Sequence, residues 1–196
     1  KKEHRTALLK NLFQKEGMDR TLVFTRTKHK AKSLAMQMIK AGYNATSLQG
    51  NLSQQKRDKA MRGFRSGAFN ILIATDIAAR GIDIDKLRYV INYDIPNESE
   101  TYVHRIGRCG RAGEEGISIS LCEPEENDYI RDIEKLISQK IQVVSNHPFP
   151  QTDKPMTNEE KKEVEKEKQK RKEAYFANRN NKKGGQNPSF RRKSGK

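Results

Sequence analysis

The stretch ILIATDIAARGIDI, Ile71–Ile84, sets an uninterrupted apolar run against an abrupt polar turn. Ile71–Thr75 has the length and β-branched content of a strand buried on both faces. The residues after it, Asp76 and then Arg80, Gly81 and Asp83, stand where ligands bind in parallel α/β sheets, just outside the carboxyl ends of the strands. Similar runs lie on either side, TLVFT at Thr21–Thr25, YVINY at Tyr89–Tyr93 and ISISL at Ile117–Leu121. Longer amphipathic stretches separate them. Ala31, Leu34, Ala35 and Met38 recur at helical spacing within Lys30–Lys40, and Gly42 stands where that helix would end. Ser53 reads as the N-cap of a second helix burying Ala60, Met61 and Phe64. Leu8, Leu9, Leu12 and Phe13 mark a helix at the start, and Ile130, Ile133, Leu136 and Ile137 a late one. Strands alternating with helices predict βαβ units, hence an α/β fold with a parallel sheet sandwiched by helices.

The alternation covers residues 1–145, and with 33% hydrophobic residues in 196 the chain can build one core of ordinary domain size. Residues 151–196 contain almost no aliphatic side chains, too few to offset the entropy of ordering, so 146–196 reads as a basic, largely disordered tail. Within it, Glu159–Lys172 has Glu and Lys three or four apart, the pattern of a solvated helix. The tail holds 15 Lys and Arg against 7 Asp and Glu, about half of the chain's formal charge of +15. A field of that sign draws polyanions, and nucleic acid is the first partner to consider. Cys109 and Cys122 stand apart, neither in a CxxC pair, and His4, His29, His104 and His147 are scattered, so no metal site is expected. No apolar run approaches the roughly 20 residues that span a bilayer. The expectation is a cytoplasmic protein without membrane association.

Tyr102–Gly113, YVHRIGRCGRAG, carries Arg105, Arg108, Arg111 and His104 with no acidic residue among them. If it is helical, His104, Arg108 and Arg111 fall on one face, two guanidinium forks beside an imidazole. Arginine forks match phosphate oxygens two at a time and stay charged at any physiological pH. A solvated basic helix end is the plain alternative. Asp76 alone likewise reads as a turn or N-cap residue, and Arg57 alone as an ordinary surface arginine.

Taken together these strings resemble the motifs of the second RecA-like domain of DEAD-box ATP-dependent RNA helicases. HRIGRCGR at His104–Arg111 is similar to that family's motif VI, with Cys109 where Thr is usual, and ATDIAARGIDI at Ala74–Ile84 resembles motif V. Thr21–Lys28 resembles motif IV, and Gln49-Gly50-Asn51 with Ser53–Arg57 the next RNA-contacting motif, Gln49 standing where His is usual. The resemblance implies that Arg108 and Arg111 reach the γ-phosphate of ATP as arginine fingers and that Asp83 reaches its ribose. It implies RNA-backbone contacts by Thr27, Gly50, Gln54, Arg57, Thr75, Arg80 and Gly81, and an interdomain network through His104 and Arg105. LVFTRTKHKA, ATDIAARGIDI and RDIEKL look closest to the bacterial RhlE-like branch.

The sequence contains neither a GxxxxGK[ST] phosphate loop nor an Asp-Glu-Ala-Asp string. By the resemblance these belong to an N-terminal RecA-like domain, which would hold ATP and Mg²⁺. The chain alone is therefore expected to be catalytically inactive. The alternative is a stand-alone RNA-binding module or adaptor, in which Tyr175, Phe176 and Phe190, interleaved with basic residues, stack on bases.

Overall fold

A computed structural model describes residues 2–80, 87–110 and 116–149, and in the tail residues 157, 159–160, 162–163, 166–167, 169–170 and 173–174. The elements run α1 (Lys2–Glu16), β1 (Thr21–Phe24), α2 (Lys28–Lys40), β2 (Ala45–Leu48), α3 (Gln54–Arg65), β3 (Ile71–Ala74), α4 (Asp76–Ala79), β4 (Tyr89–Asn92), α5 (Ser99–Ile106), β5 (Ile117–Ser120) and α6 (Asn127–Ile137). A 3-10 turn at Pro124–Glu126 leads into α6. All strand pairs are parallel, in the order β2-β3-β1-β4-β5.

The runs of β1, β3 and β4 became strands because the pleat sends alternate residues into two different cores, whereas β5 lies at the sheet edge and is exposed or half-exposed. Val23, Ile71, Ile73 and Ile91 face one, with Leu9 and Phe13 of α1 and Ala31, Leu34 and Met38 of α2. Leu22, Phe24, Leu72, Ala74 and Val90 face the other, with Ala60 and Phe64 of α3 and Ala78 of α4. A third cluster joins Ile95, Tyr102 of α5 and Ile133 of α6. The sheet is thus covered on both faces, the RecA-like arrangement.

Local chemistry sets the helix ends. The Thr27 hydroxyl accepts a hydrogen bond from the Lys30 amide at 3.2 Å and caps α2, and Gly42 after its end takes φ +88°. Ser53 occupies the N-cap position of α3 but its hydroxyl makes no capping bond. At the 3-10 turn, Glu123 and Glu126 form a capping box.

Two elements depart from the sequence reading. β2, ATSL, has no apolar run; its outer residues are buried and its middle ones half-exposed, as suits an outer strand. The helix through Tyr102 stops at Ile106 with Gly107 as C-cap, so Arg108 does not share a helical face with His104, and the expected third member, Arg111, lies outside the described residues. Gly107, with Gly110 at φ +57°, turns the chain out of α5 before Arg108 can extend it.

The chain divides into two compact units, Lys1–Asp153 and Lys154–Lys196. In the second, every described residue from 159 to 174 is helical and exposed. No helix among the described residues is long and apolar enough to cross a membrane.

Candidate functional site at the carboxyl edge of the sheet

The strands end level with one another. Phe24 pairs in register with Ala74 and Asn92, and Leu48 with Ala74, so the loops after β1, β2, β3 and β4 leave the sheet side by side. This places Thr27, Gly50, Gln54, Arg57, Thr75 and Arg80 in the loops and first helical turns at a single edge. Gly81, Asp83 and Arg111 lie outside the described residues, as do Tyr175, Phe176 and Phe190.

Thr27 is exposed although its hydroxyl caps α2. A Cβ on Gly50 would meet nothing within 4 Å, so packing does not require glycine there; the open backbone instead leaves room for a ligand to approach. The Gln54 amide donates to Asp58 at 2.8 Å on the solvent face of α3. Arg57 donates to the carbonyl of Ala78 at 3.3 Å and so ties α3 to α4. Lys28 bridges the first two loops through Asn51 at 3.1 Å. Thr75 is the buried N-cap residue of α4, and Arg80 is exposed just beyond that helix.

The basic segment after α4 divides by environment. Arg105 is 2% exposed, and every donor it uses stays within the domain. Its Nε and Nη2 donate to the two carboxylate oxygens of Asp76 at 2.6 and 2.9 Å, while Nη1 donates to Asn92 Oδ1 at 3.1 Å and to the Asp94 carbonyl at 2.7 Å. The counter-ion that the local sequence lacks is supplied from β3's end. His104 is exposed and Arg108 half-buried. The turn carrying Arg108 is pinned to Leu87, whose amide donates to the Arg108 carbonyl at 3.3 Å and whose carbonyl accepts from the Gly110 amide at 3.0 Å.

A buried ion network beneath this edge escaped the sequence reading. Asp94, 2% exposed, accepts from Arg5 at 2.8 Å, from the main-chain amide of Arg26 at 2.9 Å, and from Lys30. Glu126 accepts from Arg5 at 2.6 Å and from Arg26 at 3.1 Å. Arg5 and Lys30 also lie over the Tyr93 ring, at 5.6 and 5.3 Å from its centroid. Burial pushes the Tyr93 phenol above its ordinary pKa, and burial with the nearby Glu126 pushes the Cys122 thiol up to about 11. Asp94 follows a buried strand just as Asp76 does, a signal that would have found it. Nothing local marks Arg5.

Fold and edge together define a RecA-like α/β domain whose carboxyl edge carries Thr27, Gly50, Arg57, Thr75 and Arg80 in adjacent loops and first helical turns. Residues 3–113 match the helicase conserved C-terminal domain model. The chain is 46% identical over 129 residues, 66% of its length, to the ATP-dependent RNA helicase CshA of Limosilactobacillus reuteri, of which the match covers 26%. It superposes with a TM-score of 0.73 and 38% identity on the E. coli DEAD-box protein SrmB, crystallised with the regulator of ribonuclease activity A, over 80% of this chain and 93% of that one. S. cerevisiae Dbp5, bound to RNA and ADP BeF3, gives 0.65 and 30% identity over 71% and 39%. This chain belongs to the helicase conserved C-terminal domain family, in its DEAD-box branch. It spans about a quarter of the length of the curated relatives it matches.

Proposed function

We propose that this chain is the second RecA-like domain of a cytoplasmic, bacterial RhlE-like ATP-dependent RNA helicase, and that it completes an ATPase site begun by an N-terminal RecA-like domain. The observation that carries the reading is the level ending of the strands, which sets the β1, β2 and β3 loops side by side as a track for one polyanion. Thr27, Gly50, Gln54, Arg57, Thr75, Arg80 and Gly81 grip the RNA backbone. Gln54 and Arg57 do so from the first turn of α3, where free amides and the helix dipole already favour phosphate. Contacts to phosphates and sugars carry little sequence information, so the enzyme has low sequence specificity.

ATP, when bound, supplies the phosphoryl group transferred to water. Arg108 and Arg111 neutralise the charge that spreads over it in the transition state, and Asp83 orients the ribose. His104 joins the interdomain network directly. Arg105 acts in it through Asp76, by fixing α4 against the strand ends. Among the described residues no three His, Cys, Asp or Glu gather to hold a metal, and Mg²⁺ belongs to the N-terminal domain in this reading. Replacing Arg111 with Ala in the two-domain protein should reduce RNA-stimulated ATP turnover by about 10³-fold or more while the domain stays folded. Near-normal turnover would remove the finger assignment.

A further inference from the structure

We infer that Gly116 is a positioning residue for Arg108, acting through a main-chain contact that admits no side chain; the inference rests on the arginine-finger reading above. After α5 the turn Arg108–Gly110 lies beside the start of β4, joined by a parallel bridge between Leu87 and Cys109 and by the two hydrogen bonds to Leu87. Gly116 closes on the same turn. A Cβ at Gly116 would stand 2.4 Å from the Gly110 nitrogen, 2.6 Å from Cys109 Sγ and 2.8 Å from the Cys109 carbonyl carbon. Carbon atoms at such separations overlap, and two of the three obstacles are main chain that no rotamer change removes.

Which side would yield follows from what holds each. Gly116 leads directly into β5, which is locked to β4 over four register pairs, and the Ile117 amide donates to the Arg88 carbonyl at 2.8 Å. The Arg108–Gly110 turn has one isolated bridge and two hydrogen bonds to Leu87, with the Arg108 and Cys109 amides bonded back to Arg105 and Ile106 in place of a register-paired strand, and Gly110 already sits at φ +57°. The turn is the weaker partner. A methyl group at 116 therefore displaces Cys109 and Gly110 from Leu87 and takes with them the Arg108 carbonyl, which accepts one of the two pinning bonds. The thiol of Cys109, 3.3 Å from the Ile117 carbonyl and 3.4 Å from that of Arg88, adds a second tie across the same contact. An arginine finger depends on sub-ångström placement, so a shift too small to unfold the domain is enough to lose its effect.

The test is Gly116→Ala in the full-length two-domain protein, read by RNA-stimulated ATPase kinetics, RNA affinity and thermal melting, alone and combined with Arg108→Ala. The expected result is a fall in kcat of about tenfold or more with KM for ATP and RNA affinity within about twofold, since a transition-state contact is what is lost. On the Arg108→Ala background the same substitution should cost less than about twofold further. Turnover within twofold of wild type, or losses that multiply in the double variant, would overturn the inference. Normal turnover by Arg108→Ala alone would instead strike the finger reading itself. Should Gly116→Ala fail to fold, Gly110→Ala, which strains the same turn through its positive φ, is judged by the same two criteria.

Discussion

Arg105 is held at the carboxyl edge by two carboxylate oxygens, an amide oxygen and a main-chain carbonyl, with the Phe24 ring 5.0 Å from its guanidinium carbon. A buried fork satisfied in this way loses far more when broken than an exposed pair does. Arg105→Ala should therefore destabilise the domain by about 3–5 kcal/mol in denaturant melts. Arg105→Lys should recover little, because one ammonium cannot replace a planar fork that serves three residues. The sequence identified both partners but paired neither. Asp76 was legible as a capping or turn residue and Arg105 as a cation without a local counter-ion; only the sheet brings positions 29 residues apart into one ion pair. Cys122 gives a second prediction at this scale. Its thiol is raised in the folded state from 9.0 to about 11, so it stays protonated where the unfolded chain would ionise. Its contribution to stability is complete below pH 9 and is lost as pH rises toward 11, and Tyr93 shifts in the same direction. Melting temperature should fall across that window, and less steeply in Cys122→Ala.

At the scale of elements, the strands buried on both faces were legible because their residues are apolar throughout. β2 was not, since an outer strand half-covered by helices needs no such run, and ATSL looks like loop. α5 was shortened by Gly107 and Gly110, whose cost to a helix outweighs the spacing of the arginines around them. α1 shows the other limit of local reading. Leu9 and Phe13 announced its buried face, but Arg5, 6% exposed, reaches Asp94 and Glu126, which lie 89 and 121 residues further along the sequence. That makes α1 a part of the edge and not a leader to it. Arg5→Met should destabilise by about 3–5 kcal/mol, because it leaves two buried carboxylates short of a cation. It should also loosen the β1–α2 loop, since Asp94 holds the Arg26 amide; hydrogen exchange at Arg26 is the measurement. Unchanged stability together with unchanged exchange would show the network to be incidental.

For the whole molecule, the sheet order and the paired cores follow from the alternation of strand and helix, and the carboxyl edge follows from all strands being parallel. The division of labour at that edge was less legible. Residues at strand ends announce themselves as polar after apolar, whereas the groups that hold them, Arg5, Asp94 and Glu126, become neighbours only through the third dimension. In the proposed function the domain is one half of an enzyme, offering arginines to a triphosphate and a track to RNA and depending on another domain for the nucleotide itself. RNA-stimulated ATP hydrolysis, assayed on this chain alone and on the same chain joined to its N-terminal domain, tests that most directly. The prediction is hydrolysis only in the joined protein. Hydrolysis by this chain alone at a comparable rate would contradict it.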